Sequence, residues 1–333
     1  MGTMNHYETD LIEVRESAGK GLGVFAKVNI PRGTRVLSEL PLLDLGHDNS
    51  KNLRPHDILN AFELLPRERQ SFYLSLHSCS TDSFARVVEH EMKKDWIDIP
   101  EVQRTIFSIY AANAFGTVFL RGSRFNHSCL PNTHFSFNRS IEQETLDCVR
   151  DITAGEELTI MYPDVTNRSR SQRQKELDKW GFTCTCPACE DTPEGKKKEL
   201  KRIELQKLDR ELGVQVLIGT DMSFRQALRI AQEMAAQQES EGLAIRALAI
   251  SYYNAAKFCL ELKDTKMALL WAEKQLEVDL WCVGDDHPDT QNELKVVNWL
   301  RNAAIDSEYD ECVAKWYHLA DMSKEPCEVI NTR

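Results

Sequence analysis

Arg124-Phe125-Asn126-His127-Ser128-Cys129-Leu130-Pro131-Asn132 is the stretch whose reading decides the fold. It sets an amide, an imidazole, a thiol and a turn-forming proline side by side, a composition foreign to apolar core. Asn126 and His127 together supply acceptors and donors that suit a polar ligand held by several directed hydrogen bonds. On its own, such a pair in a loop is more often a turn or a satisfied surface pair.

The surrounding motifs change that reading. Gly19-Lys20-Gly21-Leu22-Gly23-Val24-Phe25-Ala26 lies upstream. Downstream come Gly155-Glu156-Glu157-Leu158-Thr159-Ile160-Met161-Tyr162 and then Cys184-Thr185-Cys186-Pro187-Ala188-Cys189. Around the glycine turn, 11–15, 24–26 and 35–40 read as short strands, with Pro31-Arg32-Gly33 as a further turn, so an antiparallel sheet is expected. In such a hairpin the glycines supply positive φ. Past the central stretch, 134–137, 145–150 and 158–161 read as strands, which puts Tyr162 at a strand end directly before Pro163.

Between these β segments the pattern turns helical. Apolar residues recur at three- and four-residue spacing over 57–65, 68–76, 83–94 and 101–112, with Pro55, Pro66 and Pro100 marking starts. A basic helix over 168–180, stopped by Gly181, delivers Phe182 and the cysteines. Pro193-Glu194-Gly195 and the lysines after it read as a linker, with the run Lys196 to Arg202 as a solvated helix face. Helices then fill 196–211, 223–238, 243–262, 265–283 and 288–304, with caps expected at Ser223 and Thr265.

A chain of 333 residues exceeds what one core usually sustains, so more than one domain is expected. The apolar share of 42% and charged share of 28% are those of an ordinary globular protein. No apolar run reaches the ~18 residues of a membrane span, and Met1 to Asp10 lacks signal-peptide character, which predicts a nuclear or cytoplasmic protein. A net charge of −11 argues against wrapping nucleic acid and favours basic partners such as lysine-rich tails. Ten cysteines in that setting are expected as thiols and metal ligands rather than disulfides. Cys184, Cys186 and Cys189 are close enough for one loop to aim three thiolates at one zinc ion, which wants a fourth ligand from elsewhere. Cys129, Cys148 and His134 are the candidates.

The four motifs, in this order, resemble the SET-domain methyltransferases, and the run from Asn126 to Cys189 looks like the SMYD-type branch. The resemblance implies an α+β protein: a β-rich SET fold over 1–165 in which the central loop and the Gly155-Glu156-Glu157-Leu158 segment cross in a knot-like way. A helical insertion at about 44–119, a zinc-bound post-SET segment over 166–192 and an all-α, TPR-like domain over 193–333 complete it. The insertion holds one cysteine, Cys79, so the MYND zinc finger of that branch cannot be built. The implied activity is transfer of a methyl group from S-adenosylmethionine to a protein lysine, with histones among the candidate substrates. The alternative is a catalytically weak interaction scaffold. Tyr162 carries over as the catalytic residue. Lys20, Gly21, Leu22, Gly23, Asn113, Asn126, His127, Tyr162 and Phe182 carry over as cofactor-binding, and Cys129, Cys184, Cys186 and Cys189 as ligands of one structural zinc. Leu22 stands where many relatives carry arginine. A monomer is expected, with a protein partner on the C-terminal helices.

Overall fold

The computed structural model describes residues 10–45, 54–79, 82–114, 116–162 and 165–306. Phe115, Pro163 and the C-terminal 307–333 lie outside them. Among the described residues there are seven strands: β1 (Ile12–Ser17), β2 (Gly21–Ala26), β3 (Arg35–Glu39), β4 (Asn126–His127), β5 (Thr133–Asn138), β6 (Gln143–Cys148) and β7 (Glu157–Ile160). They form two sheets, ordered β1-β2-β7-β4 and β3-β6-β5. Pairing is antiparallel throughout except between β4 and β7, which run parallel with Asn126 opposite Thr159 and His127 opposite Ile160. The alternating apolar residues expected from the sequence meet between the sheets, where Ile12, Val24, Leu37, Phe125, Leu146, Leu158 and Ile160 are buried together.

The insertion holds α1 (Pro55–Glu63), α2 (Arg67–Leu74), α3 (Asp82–Met92) and α4 (Glu101–Asn113). Its own core gathers Ile58, Phe62, Tyr73, Val88, Ile106 and Phe107. The wholly buried Tyr73 keeps its hydroxyl satisfied by donating to the Ile106 carbonyl at 2.8 Å.

α5 (Arg170–Leu177) opens with a Ser169 cap and continues into a 3-10 turn, Asp178–Trp180, ended by Gly181 in the left-handed conformation at φ 74°. The C-terminal helices are α6 (Pro193–Ile218), α7 (Asp221–Ser240), α8 (Arg246–Glu261), α9 (Thr265–Val283) and α10 (Pro288–Asp306). Each packs chiefly on its neighbours in sequence. Three local expectations are corrected. The caps are Thr220 and Asp264, whose side chains accept from the N–H groups of Ser223 and Met267, so the capping oxygens lie upstream of Ser223 and Thr265. Pro193-Glu194-Gly195 is the first turn of α6, capped by Thr192, because proline suits a first helical turn that needs no N–H. Arg202, at the end of the basic run, is wholly buried rather than solvated.

α9 lies against the second sheet, packed on β5 and β6. Arg35 on β3 pairs with Asp147 at 3.2 Å and with Asp286 at 2.8 Å, and donates to the Val283 carbonyl at 2.7 Å. The Arg32 guanidinium sits 3.6 Å from the centre of the Trp281 ring. Among the described residues no helix is long and apolar enough to cross a membrane.

Candidate active site

Parallel pairing of β4 with β7 is what assembles the site. It continues past β4, where the Ser128 N–H donates to the Ile160 carbonyl at 2.9 Å. Asn132 then staples the far end of the loop: its amide donates to the Glu157 carbonyl at 2.8 Å, and its oxygen accepts from the Thr159 N–H at 2.7 Å. Two segments some thirty residues apart are thereby locked in register.

The side chains of Asn126 and His127 serve this frame. Asn126 donates to the Leu22 carbonyl at 3.1 Å and to Glu157 Oε1 at 2.7 Å, while Lys20 Nζ meets Glu157 Oε2 at 2.9 Å. Glu157 thus ties the glycine turn to β4. Burial raises its pKa, but hydrogen bonds from Asn126, Lys20 and Ser17 outweigh that and hold it below the usual carboxylate range. Gly23 is where this convergence leaves no room. A Cβ there would lie 2.5 Å from Glu157 Oε1 and 2.9 Å from Asn126 Nδ2.

His127 accepts the Tyr162 N–H on Nδ1 at 3.1 Å, which leaves the ring proton on Nε2, 3.3 Å from Cys129 Sγ. Burial lowers its pKa to about 4, so the imidazole is neutral at pH 7. Tyr162 donates its hydroxyl to the Phe125 carbonyl at 3.0 Å, and burial holds its pKa above the ordinary phenol range. Around it stand Trp180 at 5.0 Å, His127 at 5.4 Å and Phe182, edge-on, at 6.3 Å between ring centres. Trp180 is anchored through Nε1 to the Ala112 carbonyl at the end of α4, 2.9 Å away.

The sulfurs of Cys129, Cys184, Cys186 and Cys189 all lie within 4.8 Å of one another, with Cys129 at 3.6 Å from Cys189 and 3.9 Å from Cys184. Tetrahedral ligation with Zn–S distances of ~2.3 Å sets sulfurs about 3.8 Å apart, so the donor set fits a closed structural zinc. Of the other candidate ligands, Cys148 is buried in the sheet core. His134 is half-buried on β5, near Arg246 and His287.

The structure therefore gathers Lys20, Gly21, Leu22, Gly23, Asn126, His127, Tyr162 and Phe182 around one frame and places Cys129 with its three partners. Asn113 differs. Buried at the end of α4, it commits its amide nitrogen to the carbonyls of His77 and Ile109, both at 2.7 Å, while the carbonyl of neighbouring Ala112 takes the Trp180 bond. Sequence reasoning missed Glu157, Asn132 and Trp180. The only signal for Trp180 was its place beside Gly181 and Phe182.

With two sheets, a loop-strand crossing and a cysteine-rich tail in hand, the class of the β-rich core is plain: residues 21–163 match the SET domain family. The chain is homologous to the set5 and SMYD lysine methyltransferases. It is 29% identical over 306 residues to "Histone-lysine N-methyltransferase set5" of Schizosaccharomyces pombe, covering 90% of this chain and 86% of that protein. It is 31% identical over 139 residues to "Protein-lysine N-trimethyltransferase SMYD5" of Gallus gallus, 35% of this chain and 33% of that one. A solved structure, "Structure of Rubisco LSMT bound to AdoMet", spans 92% of this chain and 95% of its own at 15% identity, with a TM-score of 0.38 that marks only a general likeness.

Proposed function

We propose that this chain is a protein-lysine N-methyltransferase that uses S-adenosylmethionine. The observation that carries the reading is Tyr162. It is held by its backbone against His127, walled by Trp180 and Phe182, and its one phenolic proton is committed to the Phe125 carbonyl. The role we assign to the hydroxyl is therefore that of lone pairs on a neutral phenol. That is an acceptor for an amine N–H or a polarised methyl group, and not a base.

The cofactor, when bound, supplies a methyl group on a sulfonium. The chain's task is alignment, because in-line displacement needs nucleophile, methyl and leaving sulfur on one axis. We assign the cradle to backbone of Lys20, Gly21, Leu22, Gly23, Asn126 and His127, because the Asn126 and His127 side chains are occupied in holding the loops. Phe182 supplies the ring packed on the adenine. Asn113 contributes through its side-chain oxygen, its nitrogen being committed. The four cysteines hold a structural zinc that ties the tail to the Asn126-His127 loop. The incoming lysine has a free pKa near ~10.4 and must arrive neutral, and an aromatic slot disfavours the ammonium form.

The names of the relatives and the acidity of the chain support a basic, lysine-bearing substrate, histones included. We also infer a monomer of nucleus or cytoplasm whose C-terminal stack is TPR-like and takes a protein partner, with no nucleic acid. Burial of Tyr252, Ala255, Ala256, Cys259 and Ala268 within the stack supports the TPR-like reading. The test is methyl incorporation from labelled cofactor into a lysine-bearing protein pool by wild type and Tyr162→Phe. Cofactor affinity is expected to hold within about threefold while turnover drops ~10²–10³-fold, the usual effect of removing one transition-state group. Equal loss of binding and turnover, or no incorporation by wild type, refutes the assignment.

A further inference from the structure

Arg173 and Arg202 head the largest wholly buried side chains among the described residues, and methyl transfer uses neither. Arg173, on α5, donates to the Arg168 carbonyl at 2.8 Å, the Ala188 carbonyl at 3.0 Å, Glu199 at 3.1 Å and Cys189 Sγ at 3.3 Å. Arg202, on α6, donates to the Thr166 carbonyl at 2.6 Å and the Cys129 carbonyl at 2.9 Å. The Nε atoms of both are buried without a partner.

A guanidinium taken out of water is costly unless an opposite charge meets it. Glu199, partly exposed, meets one side of Arg173. Arg202 makes no ion pair with a carboxylate among the described residues; the nearby Glu241 is taken by Lys201 at 2.7 Å. What both guanidiniums border is the four-cysteine cluster, one on a sulfur and one on a ligand's carbonyl. Four thiolates around a divalent ion carry two net negative charges, and two guanidiniums answer them. Four protonated thiols would answer neither.

We propose that Arg173 and Arg202 are the charge partners of a tetrathiolate zinc site, and that Arg202 thereby fastens the C-terminal helices to both arms of the active site. The two carbonyls Arg202 holds stand two residues past His127 and four past Tyr162, so α6 grips the loop and the strand end at once. The inference rests on the zinc reading above.

The test uses the zinc-loaded full chain as wild type, Arg173→Gln, Arg202→Gln, Arg173→Lys and Arg202→Lys. Each is titrated with a chromophoric zinc chelator, with far-ultraviolet circular dichroism as the folding check. Both Gln variants are expected to lose ~10–100-fold in zinc affinity, the usual effect of removing a partner of a metal ligand, while the Lys variants keep affinity within about threefold. In cobalt-substituted protein the thiolate charge-transfer band shifts in Arg173→Gln, which loses a bond to sulfur, and stays put in Arg202→Gln. Arg202→Gln alone speeds amide exchange in α6. Folded Gln variants that hold zinc within twofold of wild type overturn the proposal. Where a Gln variant does not fold, its Lys counterpart decides: retained affinity supports the charge role and a tenfold loss overturns it. A wild type that binds no zinc overturns the zinc reading itself, recognisable because its titration has no endpoint.

Discussion

Gly23 and Glu157 offer the sharpest check on how the site is held. Gly23 does not sit at positive φ, so alanine is tolerated by the backbone there, and any cost of Gly23→Ala is steric. The added Cβ would stand 2.5 Å from Glu157 Oε1, 2.9 Å from Asn126 Nδ2 and 3.0 Å from Ser17 Cβ. The carboxylate is the movable partner, and moving it breaks its 2.7 Å bond to Asn126. A charge-assisted hydrogen bond of this kind contributes ~1.5–3 kcal/mol. The half-exposed Lys20 pair adds at most ~1 kcal/mol. Glu157→Ala is therefore expected to cost about 2 kcal/mol in urea unfolding, and Gly23→Ala ~1–3 kcal/mol through overpacking. In the double variant the carboxylate is gone, so the two losses overlap by ~1–2 kcal/mol, only in part because the Asn126 and Ser17 contacts remain. Both singles should weaken S-adenosylmethionine about tenfold in calorimetric titration, the equivalent of ~1.4 kcal/mol. Additive unfolding energies within ~0.5 kcal/mol, or an unchanged cofactor affinity in Glu157→Ala, would refute the idea that this carboxylate joins the glycine turn to β4.

Two further outcomes are expected. Cys129→Ser leaves three thiolates and lowers bound zinc, measured by atomic emission on dialysed protein, well below that of wild type; full retention would exclude Cys129 as a ligand. Burial, reinforced by Asp279 and opposed by Arg246 and Gln275, raises the pKa of Glu293 to about 8. Its folded pKa thus exceeds the unfolded value near ~4.3, and its contribution is complete below that value and lost as pH climbs through about 8. Glu293→Gln should flatten the fall in unfolding free energy between pH 5 and pH 8.5, on the order of 4 kcal/mol in wild type, and parallel pH profiles would refute it.

The regular elements were legible because their periods are. α9 runs over the expected 265–283, and the insertion helices fall within a few residues of their apolar patterns. β4 was not legible, since two residues cannot alternate and only tertiary pairing with β7 makes Asn126-His127 a strand. Glu157 read as a polar residue between turn and strand, because its partners Lys20 and Asn126 are 137 and 31 positions away. The cysteine triplet was visible from its spacing. Cys129, 55 positions before Cys184, was preferred over Cys148 and His134 only through the family resemblance. Arg202 was misread for a plainer reason. A one-dimensional charge run does not say which of its members turns inward, and here the last one does.

Asn126 and His127 look like ligand groups in the sequence, yet in the fold they hold other loops, and this follows from what methyl transfer asks of a protein. The sulfonium already carries the driving force, so little is gained from an extra base or nucleophile and much from alignment. Alignment to fractions of an ångström between loops distant in sequence requires side chains that bridge them. The strongest bridges available are amides, imidazoles and carboxylates in dry surroundings, where an unmet partner is costly. Asn126 spans β2 and β7, His127 spans the strand end and the cysteine cluster, and Asn132 closes the loop behind them. The same bridging explains the glycine at position 23, where a Cβ would meet Glu157 Oε1 and Asn126 Nδ2. On this view Tyr162 belongs to the same frame: its N–H donates to His127 Nδ1 and its hydroxyl to the Phe125 carbonyl, so backbone and ring are fixed as firmly as the rest.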